Sequence, residues 1–380
     1  MKLKGLIPSL SLLVIPSLAF AAEDHDHNHG QSETGFYGHL DLKIQYDHIY
    51  NAGESDEEIN ETYSHSHLEL GYGFGNGISV NTNLQLEGEP AGHDHGGGGA
   101  ALDGSNRYFK DEPLLARTLT VNFDGDNFGL YAGKFDPVIS FDEHVLPGIY
   151  GYQVIDEYTV REKIGIGGYG KLTAGDLGTH RLDVSTFFAD TTVLSNSILY
   201  ERGDTDKEDG GVSNTEDFSS IAISLAGSDF YSLSSDIPEG LSYRVGYSYQ
   251  AAGEGGEEDE TRYSLSGQYE HIFTSALKSR VVGEIVHIEH LGGERPHDRT
   301  YATTGAELSY KNWELGSTYT YIYNDNPEDA DEALDGELFQ VSLSYHFDNG
   351  FYAGAGYRYK DEEGEGNKRV GMLVGYSHSF

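Results

Sequence analysis

The sequence predicts an all-β chain, a sixteen-stranded antiparallel transmembrane β-barrel. Three observations carry that reading: an export signal on a chain without cysteine, a period-two alternation of apolar and polar residues, and connections that alternate between short and long. MKLKGLIPSLSLLVIPSLAFA, residues 1–21, has Lys2 and Lys4, an apolar run from Leu6 to Phe20, and small residues at Ala19 and Ala21. That is a signal peptide with its cut after Ala21. The run is short and broken by Pro8 and Pro16, which argues against a membrane anchor. Residues 22–34 form a His- and Asp-rich flexible segment, and 35–380 form the barrel. An exported chain with no cysteine must be held by something other than disulfides.

The composition narrows the classes. The net charge of −39 excludes nucleic acid as a partner. Beyond the signal no stretch approaches the roughly 20 apolar residues of a membrane helix. The 28 tyrosines and 17 phenylalanines suit pleated surfaces instead. A membrane barrel hides its apolar face by alternation, so low mean hydropathy does not count against it.

The first strand, 36–49, sets the pattern. Phe36, Leu40, Leu42, Ile44 and Tyr46 share one face, and His39, Asp41, Lys43, Gln45 and Asp47 the other. The link NAGESDEEIN (51–60) leads to strand 61–74, which turns through GFGNG into 77–87. Link 88–113 leads to 114–124, and DGDN (124–127) turns it into 127–136. Link 137–158 precedes 159–172, which AGDLG (174–178) joins to 177–189. Link 190–217 precedes 218–226; AGSDFYSLSSDIPE (226–239), the one short-side connection that runs long, leads to 240–250. AAGEGGEEDE (251–260) leads to 261–272, and FTSA (273–276) to 276–290. LGGERPHDR (291–299) leads to 300–310, and KN (311–312) to 312–324. NDNPEDADEALDGE (324–337) leads to 336–347, DNG (348–350) to 350–360, and DEEGEGNK (361–368) to 368–380.

Short turns at one rim and long loops at the other are the habit of outer-membrane barrels, whose short turns face the periplasm. A soluble sandwich needs no such alternation. Sixteen strands put both termini on the periplasmic side, and the last strand is expected to close against the first so that no edge remains. Membrane lipid is then the first partner, and the outer membrane of a Gram-negative cell the location. Tyr46, Tyr50, Trp313, Tyr319, Tyr321, Tyr323, Tyr345 and Phe347 fall on the lipid-facing parity near strand ends, as an aromatic girdle should.

The other parity carries Lys43, Arg161, Lys163, Arg181, Arg244, Arg262, Lys278, Arg280 and Arg358, a basic and wet lumen wall. The third long link is unlike the rest. DPVISFDEHVLPGIYGYQVIDEYTVREK (136–163) is rich in apolar residues and is expected to fold into the lumen. Its acids Asp142, Glu143, Asp156 and Glu157 would then face the basic wall across a constriction, setting up a transverse field.

At this point a resemblance becomes specific. A barrel whose third loop constricts the channel resembles the general bacterial porins. The run GKFDPVISFDEHVLPGIYGYQVIDEYTVREKIGIGG (133–168) is similar to a stretch of the legiobactin-type siderophore porin family. The resemblance implies a passive channel for small hydrophilic solutes, to which the acidic outer loops would add a cation bias. Its alternative is a substrate-specific channel for a siderophore or metal chelate. Porins of this size are often homotrimers. The resemblance supplies no ligand residues.

Histidines suggest a rival. His25, His27 and His29 follow the cleavage site, and His93 and His95 lie in the second long loop. His65, His67 and Glu69 share the inward face of strand 61–74. No cofactor is required, but imidazoles suit zinc or another divalent metal, so a non-conducting, metal-binding surface barrel is the alternative from another class. An enzyme is not expected, since His180, His271 and His287 are each isolated from a nucleophile by parity or by strand.

Overall fold

A computed structural model describes residues 34–380 apart from 54–56, 89–103, 143, 204, 231–239, 257, 295, 326–334 and 363–364. Sixteen strands form one closed antiparallel barrel: β1 (Thr34–Asn51), β2 (Asn60–Gly75), β3 (Ile78–Glu87), β4 (Leu114–Asp124), β5 (Phe128–Phe135), β6 (Lys163–Thr173), β7 (Thr179–Ala189) and β8 (Ser220–Ser228), then β9 (Leu241–Gln250), β10 (Glu260–Thr274), β11 (Leu277–Glu289), β12 (Asp298–Tyr310), β13 (Trp313–Asp325), β14 (Gly336–His346), β15 (Phe351–Glu362) and β16 (Glu365–Ser379). Each pairs with its sequence neighbour. A two-residue stretch, Arg107–Tyr108, adds a parallel bridge to β2.

Closure is made as expected. β1 and β16 pair from His39↔Ser379 to Asn51↔Lys368. Gly38 and Phe380 exchange backbone hydrogen bonds of 2.9 and 3.0 Å. His378, unusual on a closing strand, stacks between Tyr376 and Phe380 with centroids 6.2 Å from each. It thus joins the outward aromatics. Trp313, Tyr345 and Phe347 line up in the same way, with centroid spacings of 4.8 and 4.9 Å.

Two elements differ from the sequence reading. The expected eighth long link, 361–368, is taken up mostly by strand, since β15 and β16 stay paired down to Glu362↔Glu365. Acidic and glycine-rich composition resembled a loop, but pairing with a neighbour overrides propensity in a strand. The expected strand 159–172 starts at Lys163, and a short helix, α1 (Tyr152–Tyr158), lies before it. Val154, Ile155 and Tyr158 are spaced at one and four and share a buried face, which is helical spacing.

That helix belongs to the third long loop, 136–162, which leaves the wall and packs inside the barrel. Phe141, Val145, Leu146, Val154, Ile155 and Tyr158 meet an inward apolar patch of Val282, Val286 and Ile288 (β11), Tyr301 (β12), Ile322 (β13) and Leu338 (β14). The lumen wall is therefore not basic and wet throughout, since part of it is an apolar seat. Glycines deepen that seat. A Cβ on Gly305 would sit 2.7 Å from Pro147 Cδ, one on Gly316 2.8 Å from Gly148 N, and one on Gly356 3.0 Å from Ile149 Cδ1. Between them, Thr318 Oγ1 donates to the Pro147 carbonyl at 2.9 Å, and Ile149 N donates to Ser342 Oγ at 3.1 Å. Small residues let the loop backbone approach, and hydroxyls on the wall satisfy its polar groups.

Candidate functional site: the lumen beside the third loop

The loop is pinned at both stems by carboxylates. Asp136 accepts from Arg117 Nε at 2.7 Å and from Glu162 N at 2.8 Å, so it clasps the two ends together. Glu162 accepts from Lys134 Nζ at 2.7 Å and from both Arg202 nitrogens at 2.9 and 2.7 Å. Burial alone would raise the Glu162 carboxyl. The Arg202 hydrogen bonds and the Arg202 and Lys134 charges outweigh burial and hold it down at about 2.

Further along, buried wall groups hold the loop body. Glu284, from β11, accepts from Phe141 N at 2.9 Å and from the Tyr158 hydroxyl at 2.5 Å. Asp47, from β1, accepts from the Tyr150 hydroxyl at 2.8 Å and the Tyr63 hydroxyl at 3.1 Å, and pairs with Arg369 at 3.3 Å. Arg280 Nη1 donates to the Val145 carbonyl at 2.7 Å, and Arg262 Nη1 to the Tyr158 carbonyl at 2.8 Å. Arg358 reaches Gln153. Removing any one partner leaves a buried polar group unmet, which costs about 1–3 kcal/mol.

Between the loop and the wall from β1 to β9 lies a cavity of about 270 Å³. It reaches from Asp124, beside a short turn, to Arg117 and Asp136 at the stem of the loop. Its lining holds five carboxylates, Glu69, Asp124, Asp136, Asp142 and Asp183, and four guanidinium groups, Arg117, Arg161, Arg181 and Arg244. Arg181 pairs with Asp183 at 2.9 Å and lies 4.0 Å over the Tyr169 ring centroid.

The residues expected at the constriction separate. Asp142 lines the cavity. Glu143 lies outside the described residues. Asp156 is buried in an ion pair with Arg161, and Glu157 pairs with Lys360 at 3.4 Å. Of the expected basic wall, Arg161, Arg181 and Arg244 line the cavity, Arg161 from the loop stem rather than a strand. Lys43 pairs with Asp41 at 2.8 Å, and Arg262, Arg280 and Arg358 are taken up in holding the loop. Lys163 and Lys278 are half-buried on β6 and β11, away from the cavity lining. Arg117 and Glu284 were not singled out from the sequence, and Asp47 was placed only on the polar face of the first strand. Glu284 carried a readable signal, being an acid between Val282 and Val286 on the inward parity.

Of the histidines, His25, His27, His29, His93 and His95 lie outside the described residues. His65 and His67 face the lumen with ring centroids 4.8 Å apart. His65 stacks on Tyr152 at 4.1 Å and sits 3.0 Å from a Glu87 carboxylate oxygen, while His67 meets His144 of the loop at 5.7 Å. Glu69 lines the cavity instead. Among the described residues, no three His, Cys, Asp or Glu side chains converge with the geometry to hold a metal ion.

This architecture recurs among solved outer-membrane proteins. The chain is similar to the outer membrane channel DcaP of Acinetobacter baumannii, at 13% identity and TM-score 0.55, covering 91% of this chain and 97% of that one. It is also similar to Pseudomonas putida OprB, at 10% identity and TM-score 0.62, covering 90% and 94%. Vibrio cholerae OmpT matches at 11% identity and TM-score 0.51, covering 92% and 98%. At these identities the likeness establishes the fold. Among curated proteins none matches. The family model described as Gram-negative porin matches residues 9–380, nearly the whole sequence. The chain belongs to the Gram-negative porin family, the channels of the outer membrane.

Proposed function

We propose that the protein is a passive channel for small hydrophilic solutes with a preference for cations. Solutes pass between the third loop and the wall from β1 to β9. One observation carries this reading: a cavity follows the loop from its stem toward the short-turn rim, with more carboxylates than guanidinium groups among the charged groups of its lining. The net charge of −39 adds to the bias by gathering cations at the mouth. The barrel is proposed to work as a homotrimer, in keeping with the trimer form of Vibrio cholerae OmpT. Reconstitution of the full barrel in planar bilayers tests the reading. Stepwise openings, with a reversal potential of the sign set by the cation, are expected under a salt gradient.

A second reading has its own observation. Arg117, Arg161, Arg181 and Arg244 share the cavity with Tyr37, Tyr131 and Tyr169. Guanidinium groups beside aromatic faces suit anionic, carboxylate-bearing chelates. A siderophore or metal-chelate channel would then show saturable block of conductance by such a ligand, which a general channel would not.

A further inference from the structure

The third loop leaves a break in the wall. β5 ends at Phe135, so β4 has no strand partner on that side before Leu119. The fourth long loop, 190–219, covers the break from outside. Ile198 and Leu114 exchange two backbone hydrogen bonds of 2.9 Å, extending the sheet by one bridge.

Lys134 shows which side is covered. It pairs across the sheet with Leu119 and Ile164 on the membrane-facing parity, yet its side chain is fully buried. The fourth loop closes over it. Asp190 approaches the ammonium at 2.9 Å and the Leu194 carbonyl accepts from it at 2.7 Å, with Glu162 at 2.7 Å from the loop stem. A cation aimed at lipid is thus neutralised and hidden.

The outer surface of this flap is apolar. Val193, Ile198, Leu199 and Tyr200 are 84%, 65%, 78% and 48% exposed. In DTTVLSNSILY (190–200) the only charge is Asp190, which is spent on Lys134. Leu199 is held at φ +76°, a strained conformation for a leucine, and its side chain is exposed. Ile198 shares the outward side of its bridge with Leu114, which pairs with outward Leu86. The patch is therefore continuous with the lipid-facing wall.

We propose that residues 193–200 form a lipid-contacting patch that rests in the outer leaflet and seals the break left by the third loop. Its occupant is lipid acyl chain. Continuity with the membrane-facing surface and the lack of exposed charge select it over water. Through Glu162, the same patch is tied to the stem of the constricting loop.

The chain has no cysteine, so single labels are clean. Val193→Cys and Leu199→Cys would each carry an environment-sensitive fluorophore in the full barrel, reconstituted in phosphatidylcholine vesicles with doxyl-labelled lipid. Val121→Cys on the lipid-facing wall and Glu254→Cys in an exposed loop give the two limits. The expected result is blue-shifted emission quenched by doxyl lipid about as strongly as at position 121. Quenching by aqueous iodide as at position 254, without lipid quenching, would overturn the proposal. Protection from both quenchers together with cross-linking between copies at either cysteine would also overturn it, in favour of a subunit contact.

Discussion

Replacing Tyr158 with alanine tests whether packing against the wall keeps the third loop in the lumen. The side chain is fully buried, its ring is 5.2 Å from that of Tyr301, and its hydroxyl donates to Glu284 at 2.5 Å. Large aromatic truncations in a packed core cost about 3–5 kcal/mol. The strand ladder does not depend on Tyr158, so that loss falls on docking of the loop rather than on closure of the barrel. At 1.4 kcal/mol per factor of ten, the released population rises roughly a hundredfold to several thousandfold. Single-channel recording should show a larger conductance level, rare in the native protein, becoming frequent in Tyr158→Ala. Tyr158→Phe keeps the ring and should show a smaller effect, set by the Glu284 oxygen it leaves unmet. Hydrogen exchange across 150–158 reports docking independently. If exchange rises as expected while conductance levels stay native, the loop does not constrict the channel. If exchange does not change, the packing argument itself fails.

Three more outcomes follow from the same geometry. Gly316→Val sets a branched side chain where even a Cβ would lie 2.8 Å from Gly148 N, so hydrogen exchange at 146–150 should rise while the heat-modifiable gel shift of the folded barrel persists. Asp142→Asn removes a carboxylate from the cavity lining and should move the reversal potential toward zero, whereas Glu157→Gln, whose pair is with Lys360, should move it less. Glu162 has a folded value of about 2, below its usual carboxylate range. A lowered folded value means its contribution is complete above the unfolded value near 4.5 and is lost as pH falls toward 2. The stability difference between native protein and Glu162→Gln, from thermal unfolding, should therefore be largest near neutrality and shrink below about pH 4.5.

Much of the barrel was legible because a strand between lipid and water must alternate, and a closed sheet fixes its own count of hairpins. β4 runs from Leu114 to Asp124, the bounds expected from the sequence, although a register shift beside Arg117 interrupts its alternation. The inward course of the third loop was legible too, since Val145, Leu146, Val154 and Ile155 would be out of place in water. What alternation could not give was the use of each inward charge. Arg161 and Arg262 look alike on a strand pattern, yet one lines the cavity and the other caps the Tyr158 carbonyl. That division depends on where the loop backbone ends, which is a long-range contact. Lys134 hides its role for the same reason. Parity aims it at lipid, and only the fold of the fourth loop brings Asp190 over it.

The central claim, an open and cation-preferring path beside the docked third loop, is tested most directly by single-channel current through the native barrel under a salt gradient. The account predicts ohmic steps and a reversal potential on the cation side. A correctly folded barrel that passes no current, or one whose reversal potential falls on the anion side, would contradict it.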